Sequence, residues 1–146
     1  MSLGRLALLA QLATTLPLVG LIWLVQIVSY PLFAQVGADA FAAYHRAHVR
    51  RITFVVAPLM SVELAASLVS TVYLDPALPQ LAAWLGAALA LATWLCTGLL
   101  VVPQHDVLAR RFEGRAHALL VRSNWLRTAA WSGRAALLLF VLARAL

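Results

Sequence analysis

The sequence predicts an all-α membrane protein, a bundle of four transmembrane helices with both termini on the extracytoplasmic side. Three observations carry this. Of 146 residues, 64% are hydrophobic and 11% charged, with a mean hydropathy of +0.91; soluble domains carry roughly 25% charged residues. The apolar residues gather into four runs, at about 12–34, 52–73, 81–102 and 124–143, each near the ~20 residues that cross a bilayer as helix. The basic residues are all arginine and stand mostly at the ends of those runs. A net charge of +6 would otherwise suggest nucleic acid. Placed this way it describes membrane topology, so the expected partner is the lipid bilayer and no nucleic-acid partner is expected. The single cysteine, Cys96, excludes an internal disulfide.

The first run carries no charge between Arg5 and Asp39. It is too long for a signal peptide and lacks a small-x-small cleavage site, so it reads as a retained span. Pro17 and Gly20 are tolerable inside it, because lipid offers the backbone no alternative to helix. Gln26, Ser29 and Tyr30 form a polar patch in its last turns, before Pro31. Gly37-Ala38-Asp39 breaks the run, with Asp39 as the expected N-cap of the second helix. That helix begins with an amphipathic lead-in, enters the bilayer near Ile52, and contains Pro58, a candidate kink.

After the turn Leu74 to Pro79, the third helix is expected to end at Pro103. Ala82, Gly86, Ala90 and Gly98 share one face of it, the small-residue spacing that lets helices approach closely in lipid. Pro103 to Asn124 is a polar connection, read either as an interfacial helix or as extensions of its neighbours. The fourth helix opens with Asn124-Trp125-Leu126-Arg127-Thr128 and holds Arg134 inside it. The connections after the first and third runs hold eight arginines, from Arg46 to Arg127, against Arg5 and Arg144 on the other side. Positive residues stay in the cytoplasm. The sequence therefore predicts one multi-pass domain in a bacterial inner membrane, with the possibility of a homo-oligomer.

The residues able to do chemistry lie at two depths. His45 and His48 share a helix face just ahead of the second span, and His105 follows the third. Three imidazoles could hold a transition metal or a haem, with His45, His48 and His105 as ligands; general acid–base work suits them equally. Tyr44 flanks them, and Asn124 and Arg127 can face inward from the fourth helix. Arg127 suits either an anionic group or a lipid phosphate. Glu63 lies 11 residues beyond Ile52, about 16 Å deep at 1.5 Å per residue. A carboxylate there must be neutral, paired or wetted. Arg134 is its expected partner, either as a structural ion pair or as the polar floor of a cavity.

The stretch Thr97-Gly-Leu-Leu-Val-Val-Pro-Gln-His105 and the cluster Asn124 to Arg127, with Arg134 behind, add a resemblance. With the four-span layout, the chain resembles the small integral-membrane family of mostly uncharacterised proteins that includes the fungal anthrone oxygenases. His105 stands where that pattern prefers asparagine. The resemblance implies a four-helix membrane bundle and oxygen-dependent oxidation of a flat phenolic substrate without a resident cofactor. The resulting expectation is a membrane oxidoreductase for a small hydrophobic, aromatic or quinone-like substrate. His48 or His105 would take a proton, Arg127 or Arg134 would stabilise the anion, and Gln26, Tyr30, Tyr44, Asn124 and Glu63 would line the site. The competing class is a non-enzymatic binding protein or transporter subunit for a lipid, haem or metal ion.

Overall fold

The computed structural model describes residues 1–144, and they form four long helices. α1 spans Leu3–Gln35, α2 Ala38–Val72, α3 Gln80–Leu108 and α4 Gly114–Ala143, and each is long and apolar enough to cross a membrane. Each packs on its neighbours in sequence, and α4 closes the ring against α1. The turns at 36–37 and 109–113 lie at one end of the bundle, the arginine-rich end. The N-terminus and the turn at 73–79 lie at the other, where Arg5 Nε meets Asp75 Oδ2 at 2.8 Å.

Local chemistry sets the helix ends. Ser2 Oγ accepts from the Arg5 N–H at 3.2 Å, and the Glu113 carboxylate accepts from the N–H groups of Arg115 and Ala116 at 3.0 and 2.6 Å. Both occupy backbone donors that a helix start leaves unpaired. At the end of α3, Arg46 reaches across from α2 to donate to the Ala109 carbonyl at 2.9 Å, a cation at the negative pole of a helix. Asp39 is not the cap expected from sequence: α2 starts at Ala38, is capped by Gly37, and holds Asp39 in its first turn. There the charge acts on the helix dipole instead of bonding a free N–H.

Pro103 does not end α3. The helix opens into a wide five-residue turn at Thr97–Val101 and then continues to Leu108. The Val102 N–H bonds the Thr97 carbonyl in an i→i+5 step, the device by which a helix absorbs an irregularity it cannot accommodate at 3.6 residues per turn. α1 does the same at Val25–Ser29, ahead of Pro31. The expected polar connection is therefore made of the end of α3, a short turn and the start of α4, matching the extension reading. The small-residue face of α3 buries Ala82, Gly86 and Ala90 as expected, but Gly98 is exposed: the wide turn rotates it off that face.

The core is layered along the bundle axis. Leu8, Leu78, Ala82, Ala83, Leu138 and Val141 fill the end near the N-terminus. Leu18, Ile22, Val56, Met60 and Trp131 fill the middle. Val25, Tyr30, Phe33, Phe41, Val101, Leu108, Ala116 and Leu120 fill the arginine-rich end. One polar group sits above the middle layer and another below it, and they differ in kind.

Candidate functional site

The first polar group is closed. Glu63 and Arg134 are both 0% exposed and pair at 3.0 Å between Oε1 and Nε. Thr15 Oγ1 donates to the same carboxylate oxygen at 2.6 Å, and Trp131 Nε1 donates to Oε2 at 3.0 Å. Arg134 Nη2 donates to Gln11 Oε1 at 2.9 Å and to Ser67 Oγ, and Nη1 donates to the Gly86 carbonyl. Gln11 in turn donates to Ser70 Oγ at 2.7 Å. All four helices contribute. The pairing expected from sequence is present, and every charged atom in it has a partner. Gly86 leaves room for the guanidinium here: a Cβ would stand 3.0 Å from Arg134 Nη1, tighter than an ordinary contact. Neither Glu63 nor Arg134 is among the residues lining the cavity described next.

The second group is open. Between the middle layer and the arginine-rich end lies a cavity of ≈ 260 Å³, mostly apolar, with Tyr30, His105, Asp106 and Arg127 as its ionisable lining groups. Met60 and Trp94 form part of its wall, and the Trp94 indole donates to the Met60 carbonyl at 3.2 Å, tying α3 to α2. Its mouth lies between α2 and α3, where the lining residues Thr53, Val102 and Asp106 are exposed. Those two helices pack along their other halves and part here. Lipid, not water, is what such a mouth would face in a bilayer.

From the wall of this cavity a chain of hydrogen bonds leads into the protein. Tyr30 Oη lies 3.1 Å from His105 Nε2, and His105 Nδ1 lies 3.1 Å from His45 Nε2. His45 is fully buried, stacked on Phe41 at 5.4 Å and edge-on to Phe33 at 5.1 Å, and its Nδ1 has no partner. A neutral histidine carries one N–H and one bare nitrogen, so the chain can run with either polarity. The fourth histidine, His117, donates from Nε2 to the Tyr30 carbonyl at 2.8 Å and so fixes the backbone that carries the phenol.

Arg127 is 6% exposed. Its Nη1 donates to Asn124 Oδ1 at 3.1 Å, its Nε is buried without a partner, and its guanidinium stands 5.0 Å from the Trp131 ring. Among the described residues it makes no ion pair. A cation–π contact is worth about 2 kcal/mol when desolvated, whereas the effective penalty of burying an ion is several kcal/mol. The ring therefore offsets part of the cost and leaves a deficit.

Of the residues expected to line one site, the structure brings together Tyr30, His105 and Arg127 in the cavity, with His45 behind them. Asn124 and Gln26 lie one step back: Asn124 donates to Gln26 Oε1 at 2.9 Å, and Gln26 donates to the Val121 carbonyl at 3.3 Å. They hold Arg127 and α1 in place and do not line the cavity. His48 and Tyr44 line a separate groove on α2 with Arg51; the His48 ring stands edge-on to Phe33 at 4.9 Å and to Tyr30 at 6.5 Å, and its Nε2 is buried without a partner. Among the described residues, no three histidine, cysteine or acidic side chains are grouped to hold a metal ion. Sequence reading did not single out Trp131, Trp94, Thr15, Gln11, Ser67 or Ser70, which look like ordinary residues of membrane helices. No family model, curated protein or solved structure matches this chain.

Proposed function

We propose that the protein is a small integral-membrane oxidoreductase, oxygenase-like, that takes a hydrophobic aromatic or quinone-like molecule into the cavity between its helices. The observation that carries this reading is the hydrogen-bonded chain Tyr30–His105–His45, which begins at the cavity wall beside Arg127. When a phenolic substrate gives up its proton, Tyr30 receives it and passes its own to His105 Nε2. His105 then passes its Nδ1 proton to His45. The face of Phe41 offsets part of the cost of a proton on buried His45, and the proton returns along the same chain to the reduced oxygen. Arg127 stabilises the phenolate left in the cavity. For a hydroquinone, two electrons and two protons go to dioxygen dissolved in the bilayer, giving quinone and hydrogen peroxide. The arginine-rich end would face the cytoplasm of a bacterial cell.

The test is oxygen consumption by purified protein in lipid nanodiscs with 1,4-naphthohydroquinone. Saturable uptake above the protein-free blank, lost in Tyr30→Phe and His105→Ala, supports the reading. A rate equal to the blank counts against it. The mouth at the lipid-facing surface favours a second reading, a binding protein for the same class of molecule, which would show saturable binding without oxygen uptake.

A further inference from the structure

The two buried arginines of α4 lie seven residues apart, and one is a control for the other. Arg134 sits in a closed network with a carboxylate, a carbonyl, an amide and two hydroxyls around it. Arg127 is nearly as buried and has one amide oxygen, the neutral Tyr30 phenol nearby, one aromatic face and an unpartnered Nε. The difference is that Arg127 borders the cavity. We infer that the cavity is a site for a membrane-soluble molecule with one acidic oxygen group, held head-first against Arg127, with the rest of the molecule leaving through the gap between α2 and α3 into lipid.

Charge, size and access all bear on this. An anion supplies what Arg127 lacks and what no side chain among the described residues gives it. Among the described residues, Asp106 is the only acid lining the cavity, and it lies exposed at the mouth. An acid there repels an anion left at the entrance and leaves the inner position by Arg127 as the favourable one. The volume of ≈ 260 Å³ is below the roughly 300–1,000 Å³ of pockets that enclose a drug-sized ligand, so a head or one ring system fits and a tail does not. The other directions are closed. The Glu63–Arg134 network fills the bundle on one side, and Phe33, Phe41, Leu108 and Leu120 fill the arginine-rich end. The head is either a carboxylate, as in a fatty acid, or a phenolate; the phenolate case rests on the function proposed above.

The experiment measures binding of dodecanoate, dodecanol and dodecylammonium to the protein in nanodiscs through the fluorescence of its tryptophans, two of which flank the cavity. Dodecanoate should bind at least about tenfold tighter than dodecanol, a difference of about 1.4 kcal/mol, and dodecylammonium weakest. Arg127→Met should abolish the preference, and Arg127→Lys should retain part of it. Equal binding of the three probes to the unmutated protein overturns the inference and needs no variant to fold. So does a carboxylate preference that survives in Arg127→Met. The two sources separate with 2-dodecyl-4-nitrophenol, whose absorbance reports ionisation. A phenolate site binds it ionised, in competition with dodecanoate, and His105→Ala shifts the bound fraction towards the neutral phenol. A site for carboxylates alone binds dodecanoate with unchanged affinity in His105→Ala and excludes the phenol. Carboxylate binding with no oxygen uptake would refute the oxidoreductase reading and leave this one standing.

Discussion

Removing Arg134 should cost the fold about 3–5 kcal/mol, the usual cost of breaking a buried pair by deleting one partner. In Arg134→Met the Glu63 carboxylate keeps its bonds from Thr15 and Trp131 but loses the cation it pairs with. Gln11 Oε1, Ser67 Oγ and the Gly86 carbonyl lose a donor in the same stroke. Each stranded neutral group could add about 1–3 kcal/mol. That sum is an overestimate, because unfolded helices in a bilayer find other partners and single side-chain hydrogen bonds there average only ~0.6 kcal/mol. The charge governs the total. Glu63→Leu should cost a similar amount, leaving a buried guanidinium in place of a carboxylate. The double variant should cost less than either single one, because two apolar side chains of similar volume replace the pair without an uncompensated ion. Reversible unfolding in mixed detergent micelles gives all four corners of the cycle. The reasoning fails if the single variants lie within about 1 kcal/mol of the parent, or if the double variant costs the sum of the two.

Gly86→Ala places a Cβ 3.0 Å from Arg134 Nη1 and should cost about 1–3 kcal/mol; most of that penalty should vanish in the Glu63→Leu/Arg134→Met background, where no guanidinium stands opposite. Ala57→Leu fills the cavity from α2 and should raise stability by about 0.5–2 kcal/mol while blocking dodecanoate, both measurable by thermal unfolding with and without the ligand. A reporter active only outside the cytoplasm should work when fused to the carboxyl terminus and fail when inserted between Arg110 and Arg115; the opposite pattern would reverse the proposed orientation.

The four helices and the Glu63–Arg134 pair were legible in the sequence, because a charge in an apolar run admits few solutions. Thr15 and Ser67 were not, because hydroxyls in membrane helices can bond their own backbone. Thr14 and Ser61 donate to the carbonyls four residues back at 2.7 and 2.8 Å, and nothing local distinguishes them from Thr15, which reaches across to Glu63. Ser67 does both, bonding the Glu63 carbonyl and receiving Arg134. The course of α3 beyond Pro103 was hidden for a similar reason: a proline reads as a stop unless the wide turn ahead of it is known. Depth along the helices brought Tyr30, His105 and Arg127 to one level. It did not say that His48 would line a different groove, since rotation about the helix axis, not depth, decides which face a residue presents.

The claim on which the rest depends is that Arg134 belongs to the fold and Arg127 to a ligand. Stability of Arg127→Met, measured without added ligand beside Arg134→Met, tests it most directly. Removing an uncompensated buried cation relieves a desolvation penalty and costs the neutral groups Asn124 Oδ1 and Tyr30 a neighbour, not an ion a partner. Arg127→Met should therefore unfold at or above the midpoint of the parent protein, while Arg134→Met falls by the 3–5 kcal/mol expected of a broken pair. Equal losses in the two variants would contradict the account, since they would place Arg127 in the structural framework alongside Arg134.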